Sequence, residues 1–249
     1  MGPSYAHSLT IRDLEKGEPF IDAWLEDQVE NLPFPDQFAK LNAFITILQN
    51  PDVYTGRQKE ELRHFYLGGI FLQSSKVSAS EEERIQALAE SLNHFRRCLE
   101  PKTFPANPSY YAQWQIGLIL EKLGSSWPEV QEALLDAQVF YNKRAEAVTY
   151  VIKRLRSNGQ IGWAYVYTQV AQAQYTGKIP PDTTWGVDPG IYLWKLTNYH
   201  MSVCNRLGNS AEAAKAYREL WQFHKENPNY FSPDQVQQLF KNQQLFAHE

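Results

Sequence analysis

The chain has six histidines, His7, His64, His94, His200, His224 and His248, and imidazole both ligates metals and exchanges protons near neutrality. None stands four residues from another, and no Cys-x-x-Cys pair occurs, so no zinc motif is read and neither metal nor cofactor is expected. His64, His94 and His200 are expected on helix surfaces or between helices. Cys98 and Cys204 fall on apolar positions of predicted helices, which suits buried thiols in a reducing compartment. The chain has no Gly-x-Ser-x-Gly elbow, no Gly-x-x-x-x-Gly-Lys-Ser/Thr loop and no Gly-x-Gly-x-x-Gly turn. Glu60-Glu61, Glu81-Glu82-Glu83 and Glu129/Glu132 begin predicted helices, where the positive end of the helix dipole accounts for them.

The elements that must position any site are helical. Four sets of residues repeat the spacing of one helix face: Ser91/Phe95/Cys98, Val130/Leu134/Ala137, Ala164/Thr168/Ala171 and Ala213/Tyr217/Leu220. Their first members stand at 91, 130, 164 and 213, a period near 34 lengthened by insertions at 76–82 and 175–186. Gly124, Gly159 and Gly208 precede three of the sets as turn glycines. One amphipathic helix cannot bury its apolar face alone; a partner covers part of it and the next pair the rest. The expectation is an all-α solenoid of stacked antiparallel helix pairs, with hairpins at about 57–99, 108–140, 143–174 and 188–225 and a capping helix over 232–244. A flexible leader (1–17) and a helical pair broken at Pro33 and Pro35 precede it, all of 18–246 forming one domain. The helix tryptophans and other aromatics are assigned to packing, and Val139 to the inward face of its helix.

Two local signals fix helix starts. Ser80 with Glu83, and Ser126 with Glu129 around Pro128, carry capping-box spacing. No segment shows two-residue alternation between hairpin turns, so strand content near zero is expected. Formal net charge is −4 over 249 residues with scattered basic residues, which argues against nucleic acid. No apolar run reaches membrane-span length and the N-terminus has no apolar signal core, so a cytoplasmic protein without a membrane span is the default.

These units resemble tetratricopeptide repeats, with Trp114 at the fourth position of a 34-residue unit and Val130, Leu134 and Ala137 following in register. A second resemblance covers about residues 37–246. It rests on Arg63-His64-Phe65-Tyr66-Leu67-Gly68, Gly124-Ser125-Ser126-Trp127, Tyr141-Asn142-Lys143-Arg144-Ala145-Glu146-Ala147, Ala164-Tyr165 and Tyr192-Leu193-Trp194-Lys195-Leu196. These are similar to the helical repeat region that follows the catalytic domain in some bacterial and viral family 2 glycosyltransferases. The Asp-x-Asp pair of such enzymes does not occur, so the resemblance implies a non-catalytic module, and Gly68-Gly69 stands where alanine is usual.

The tetratricopeptide likeness also implies a concave groove lined by the first helix of each pair. In this register the groove residues are Gln115, Glu146, Thr149, Lys153, Arg156, Lys195, Asn198, Ser202 and Asn205, with Trp185 in the long loop as a lid or docking edge. Asparagine amides can bond a peptide main chain, and cations can hold an acidic end. The function expected is a scaffold or binding module for a protein or peptide, with a glycosyltransferase or its acceptor as the implied partner. The alternatives are a carbohydrate-active enzyme using the groove and a peptide adaptor in another process.

Overall fold

The structure is a computed structural model and describes residues 60–100, 104–181 and 186–246. The expected leader, the first helical pair and Trp185 lie outside the described residues. Nine α-helices and no strand occur among them: α1 (Glu60–Val77), α2 (Glu81–Leu99), α3 (Ala106–Lys122), α4 (Trp127–Phe140), α5 (Glu146–Ser157), α6 (Ile161–Tyr175), α7 (Leu196–Arg206), α8 (Ser210–Glu226) and α9 (Pro233–Phe246). The all-α class expected from the sequence holds, and within the runs α1–α4 and α5–α9 helices adjacent in sequence pack on one another. No described helix is long and apolar enough to cross a membrane.

Helix ends follow local chemistry. Ser80 Oγ accepts from the Glu83 N–H (3.2 Å) while the Glu83 carboxylate accepts from the Ser80 N–H (3.3 Å), the reciprocal pair that starts α2. At α4 the Glu129 carboxylate accepts both the Ser126 N–H (3.0 Å) and the Ser126 hydroxyl (2.8 Å). Gly124, Gly159 and Gly208 all have φ near +80°, from 74° to 82°, where a side chain would strain the backbone. After each, the next N–H reaches a carbonyl five residues back: Ser125 to Leu120, Gln160 to Leu155 and Asn209 to Cys204. The same closure therefore ends α3, α5 and α7.

The chain divides into two compact units. The first takes residues 1–142 and 182–186 and contains α1 to α4. Its core joins Leu62, Phe65, Tyr66 and Ile70 of α1 to Leu88, Phe95 and Cys98 of α2 and to Ala112, Ile116 and Ile119 of α3. His64 meets His94 while Gly68 meets Ser91, so positions rise on α1 as they fall on α2 and the two run antiparallel. Ser91 Oγ donates to the Gly68 carbonyl at 2.7 Å. A Cβ on Gly68 would sit 2.8 Å from the Phe95 ring, and one on Gly117 would sit 2.7 Å from Leu134. Glycine at 68 thus replaces bulk with helix–helix proximity.

The second unit takes residues 143–181 and 187–249 and contains α5 to α9. It is built around a buried ion pair at the start of α5. Arg144 is fully buried and its Nε donates to Glu146 Oε2 at 3.0 Å. Glu146 also accepts from the Tyr192 hydroxyl (3.1 Å) and the Asp188 N–H (3.4 Å), and Tyr192 Oη in turn accepts the Ala145 N–H at 2.9 Å. Tyr192 lies in a turn of π-helix, Ile191–Lys195, through which the chain enters α7. The sequence reads as one uninterrupted helix there. Ala145, just before α5, and Val148 and Ile152 of α5 bury against Ala171, Tyr192 and Leu196, and Ala213, Tyr217 and Leu220 of α8 against Trp194, Met201 and Phe231. Burying a large apolar side chain is worth about 1.5–3 kcal/mol.

All twelve residues of the four spaced sets are buried. Two packing expectations fail. Trp163 is 64% exposed on α6 and Val139 82% exposed on α4. Val139 stands five residues from Leu134 and two from Ala137, offsets that turn it away from the face those residues share.

Candidate functional site

Helix α7 places Asn198, Met201, Ser202 and Asn205 at offsets of three, four and seven residues, so they form one stripe. Helix α9 places Gln238, Asn242 and Phe246 four apart on one of its faces. Arg156 comes from the last turn of α5. These eight residues line one pocket of ≈ 370 Å³ in the second unit.

The walls are held before any ligand arrives. Arg156 Nη1 donates to Ser202 Oγ at 3.1 Å, and the guanidinium carbon stands 5.1 Å from the centre of the Tyr199 ring. Arg206 Nη1 caps the Arg156 carbonyl at 3.0 Å, which fixes the end of α5 against the end of α7. Asn242 is buried; its amide reaches Met201 Sδ at 3.9 Å and its carbonyl accepts from Gln238 Nε2 at 3.0 Å. Phe246 closes one end by packing on Tyr217, ring centres 5.5 Å apart. Helix α9 itself starts on a reciprocal pair, the Ser232 N–H to Gln235 Oε1 (2.8 Å) and the Gln235 N–H to Ser232 Oγ (3.3 Å).

The lining offers amide donors and acceptors, one hydroxyl, a thioether, an aromatic ring and one permanent positive charge. None of the eight is a carboxylate, imidazole or thiol, so these side chains supply no general acid or base. What they can do is orient and neutralise an acceptor-rich, negatively charged group.

Four of the groove residues expected from the sequence, Arg156, Asn198, Ser202 and Asn205, come together here. Lys153 is exposed one turn earlier on α5. Lys195 pairs with Asp188 and stands 5.7 Å from the Trp194 ring centre, away from the pocket lining. Glu146 and Thr149 are buried, Glu146 in the ion-pair joint, and Gln115 is buried on α3 in the first unit. Gln238, Asn242 and Phe246 are the residues that sequence reasoning missed. Their signal was the four-residue spacing on a helix read only as a cap.

Elsewhere in the second unit, burial together with the Glu146 charge pushes the Tyr192 hydroxyl far above its ordinary range, so it stays protonated and donates. Burial, with the same carboxylate, pushes Tyr175 up to about 12. The Tyr192 phenol is a structural donor in this joint. No family model, curated protein or solved structure matches the chain.

Proposed function

We propose that the chain is a non-catalytic helical binding module and that the pocket between α5, α7 and α9 takes an extended peptide segment carrying a carboxylate. The observation that supports this reading is the lining itself: Arg156, held by Ser202 and Tyr199, faces a wall of Asn198, Asn205, Gln238 and Asn242 with no acidic residue among the described lining. Side-chain amides satisfy both partners of a peptide backbone, and a guanidinium binds a carboxylate with two parallel hydrogen bonds. The resemblance to glycosyltransferase repeat regions suggests a partner, a segment of a glycosyltransferase or of the machinery that presents its acceptor. A tetratricopeptide-like stack would set this pocket on its inner wall.

The carbohydrate-enzyme alternative would need a carboxylate turned toward the ligand. Glu146 was the groove carboxylate, and its oxygens are engaged by Arg144, Tyr192 and Asp188. The binding reading is tested with a peptide array probed with the full chain, each peptide presented with a free or an amidated C-terminus. Peptides bearing an acidic side chain or a free C-terminus should bind, and Arg156→Glu should weaken them at least about tenfold, the loss of a charge-assisted hydrogen bond. Binding unchanged by Arg156→Glu, or turnover of sugar nucleotides by the chain alone, would sink the proposal.

A further inference from the structure

A second group of side chains converges at the corner between α7 and α8. His200 and Cys204 stand four residues apart on α7, one turn along the same face. Glu212 enters from the first turn of α8, across the Leu207–Asn209 turn. His200 Nε2 lies 2.9 Å from Glu212 Oε1 and 3.4 Å from Cys204 Sγ, and the three ligand-type atoms all lie within 4.8 Å of one another. His200 and Cys204 are buried, while the Glu212 side chain is 30% exposed and leaves a route to solvent.

His200 and Glu212 are each held from behind. The Thr168 hydroxyl donates to the Tyr165 carbonyl at 2.8 Å, and its oxygen stands 3.1 Å from His200 Nδ1. With its proton used on that carbonyl, Thr168 accepts from Nδ1–H, so Nε2 is the nitrogen turned to the carboxylate, with Cys204 Sγ beside the ring at 3.4 Å from Nε2 and 3.9 Å from Nδ1. Glu212 Oε2 accepts from the Tyr165 hydroxyl (2.9 Å) and the Asn209 amide (2.6 Å), so Oε1 is the oxygen turned inward. The Tyr165 ring stacks on the imidazole, centres 5.8 Å apart and planes at 20°. A bare imidazole nitrogen and a carboxylate oxygen at 2.9 Å repel unless a proton or a cation lies between them.

We propose that His200 Nε2, Cys204 Sγ and Glu212 Oε1 bind one zinc ion, with the fourth position open to water or to a ligand from outside. One nitrogen, one sulfur and one oxygen suit zinc, whose tetrahedral sites accept all three donors. Ordinary zinc bond lengths set a nitrogen–oxygen separation of about 3.4 Å and a nitrogen–sulfur separation of about 3.6 Å. The carboxylate therefore draws back by about half an ångström, and Cys204 Sγ, which lies beside the ring and not on the Nε2 lone-pair axis, swings in by about an ångström to reach the ion. Thr168 on Nδ1 and Tyr165 with Asn209 on Oε2 are the outer contacts that orient a ligating histidine and carboxylate. Cys204 is a free, buried thiol. As the zinc–sulfur bond forms, the thiol proton leaves to solvent, and binding releases one proton from the cysteine.

The test uses the reduced full chain titrated with cobalt(II), then with zinc. One equivalent of cobalt should give an intense visible spectrum with a thiolate-to-cobalt band in the near-ultraviolet, and zinc should abolish both. Cys204→Ser should lose the thiolate band and bind zinc at least about tenfold more weakly, and Thr168→Val should weaken it about 10–100-fold. Glu212→Gln, which keeps an oxygen for Tyr165, should weaken binding with the helical circular dichroism unchanged. Zinc should raise the melting temperature of the wild type and not of Cys204→Ser. A cobalt complex without the thiolate band, or equal zinc affinity in wild type and Cys204→Ser, overturns the site. It leaves His200 and Glu212 as a proton-bridged contact between α7 and α8. These readouts need no peptide, so failure here is separate from failure of the binding pocket.

Discussion

His64 and His94 bring their Nδ1 atoms to 2.7 Å across the interface of α1 and α2, with Phe71 stacked on His94 at 5.6 Å and 8°. One nitrogen must donate and the other accept. His64 Nε2 lies 3.3 Å from Glu60 Oε1, so a single arrangement satisfies both rings in the neutral state: His94 Nδ1–H to His64 Nδ1, and His64 Nε2–H to Glu60. Protonating both rings fully sets two N–H groups against each other. Burial is the largest effect on each. It lowers His64 despite Glu60 and Glu100, and with His64, Arg97 and Arg63 nearby it lowers His94 to about 4.

The pH dependence follows from that depression. Between the unfolded value near 6.5 and the folded value near 4, the unfolded chain binds more protons than the folded one. The stability contributed by the neutral pair is complete above about 6.5 and is lost as pH falls toward 4. Thermal unfolding from pH 7.5 to 4 should show a fall on the order of 5 °C across that window. His94→Gln should lower the melting temperature at pH 7 and shallow the slope. An unchanged slope in the variant would remove the pair as its source.

Glycines inside helices separate close approach from mere flexibility. At Gly117, alanine would place its Cβ 2.7 Å from Leu134, whereas at Gly162 nothing lies within 4 Å. Alanine favours helix by up to about 1 kcal/mol, and overpacking costs about 1–3 kcal/mol. Gly162→Ala should therefore be neutral or stabilising, while Gly117→Ala and Gly68→Ala should destabilise by about 1–2 kcal/mol net. Urea midpoints of the three variants check the order, and equal midpoints would mean that the crossings relax freely.

Helix starts were legible because serine and glutamate three apart satisfy the same orphan groups wherever they stand, and turn glycines because only they accept φ near +80° cheaply. The π turn was not, since Ile191-Tyr192-Leu193-Trp194-Lys195 continues an apolar helical pattern with no breaker. What bends it in is distant: Tyr192 must reach Glu146 and the Ala145 N–H. At the pocket, the α7 stripe was readable from its register, but α9 read only as a cap, because Val236, Leu239 and Phe240 carry its apolar signal while glutamine and asparagine carry none. His200 and Cys204 form a mixed pair one turn apart that like-with-like metal motifs do not flag, and Glu212 reaches them only through the turn.

The joint of Arg144 and Glu146 is expected to be structural. Removing one member of a buried pair strands the other charge, at a cost of about 3–5 kcal/mol. Glu146→Gln should thus lower stability sharply, and Tyr192→Phe should cost about 1–2 kcal/mol through its lost hydrogen bonds. A Glu146→Gln chain with wild-type denaturation would show that Glu146 is free for another role.

Arg156 separates recognition by shape from attraction by charge. Its guanidinium donates to Ser202 while lying on Tyr199, and a carboxylate in the pocket would use the remaining donors of the same planar group. Lysine keeps the charge but neither the fork nor the stacking plane. If the pocket reads a carboxylate bidentately, Arg156→Lys should lose roughly tenfold in affinity for an acidic peptide, nearly as much as Arg156→Ala, and Asn198→Asp should weaken it too by neutralising the charge from within. If Arg156 acts only as a distant charge, Arg156→Lys should bind like the wild type, and raising salt from 0.05 to 0.5 M, which shortens the screening length to a few ångströms, should erase binding in both. Fluorescence anisotropy of one labelled peptide against the four proteins at both salt concentrations distinguishes the two. The fork model requires the gap between wild type and Arg156→Lys to persist at high salt, because contact hydrogen bonds are screened far less than separated charges.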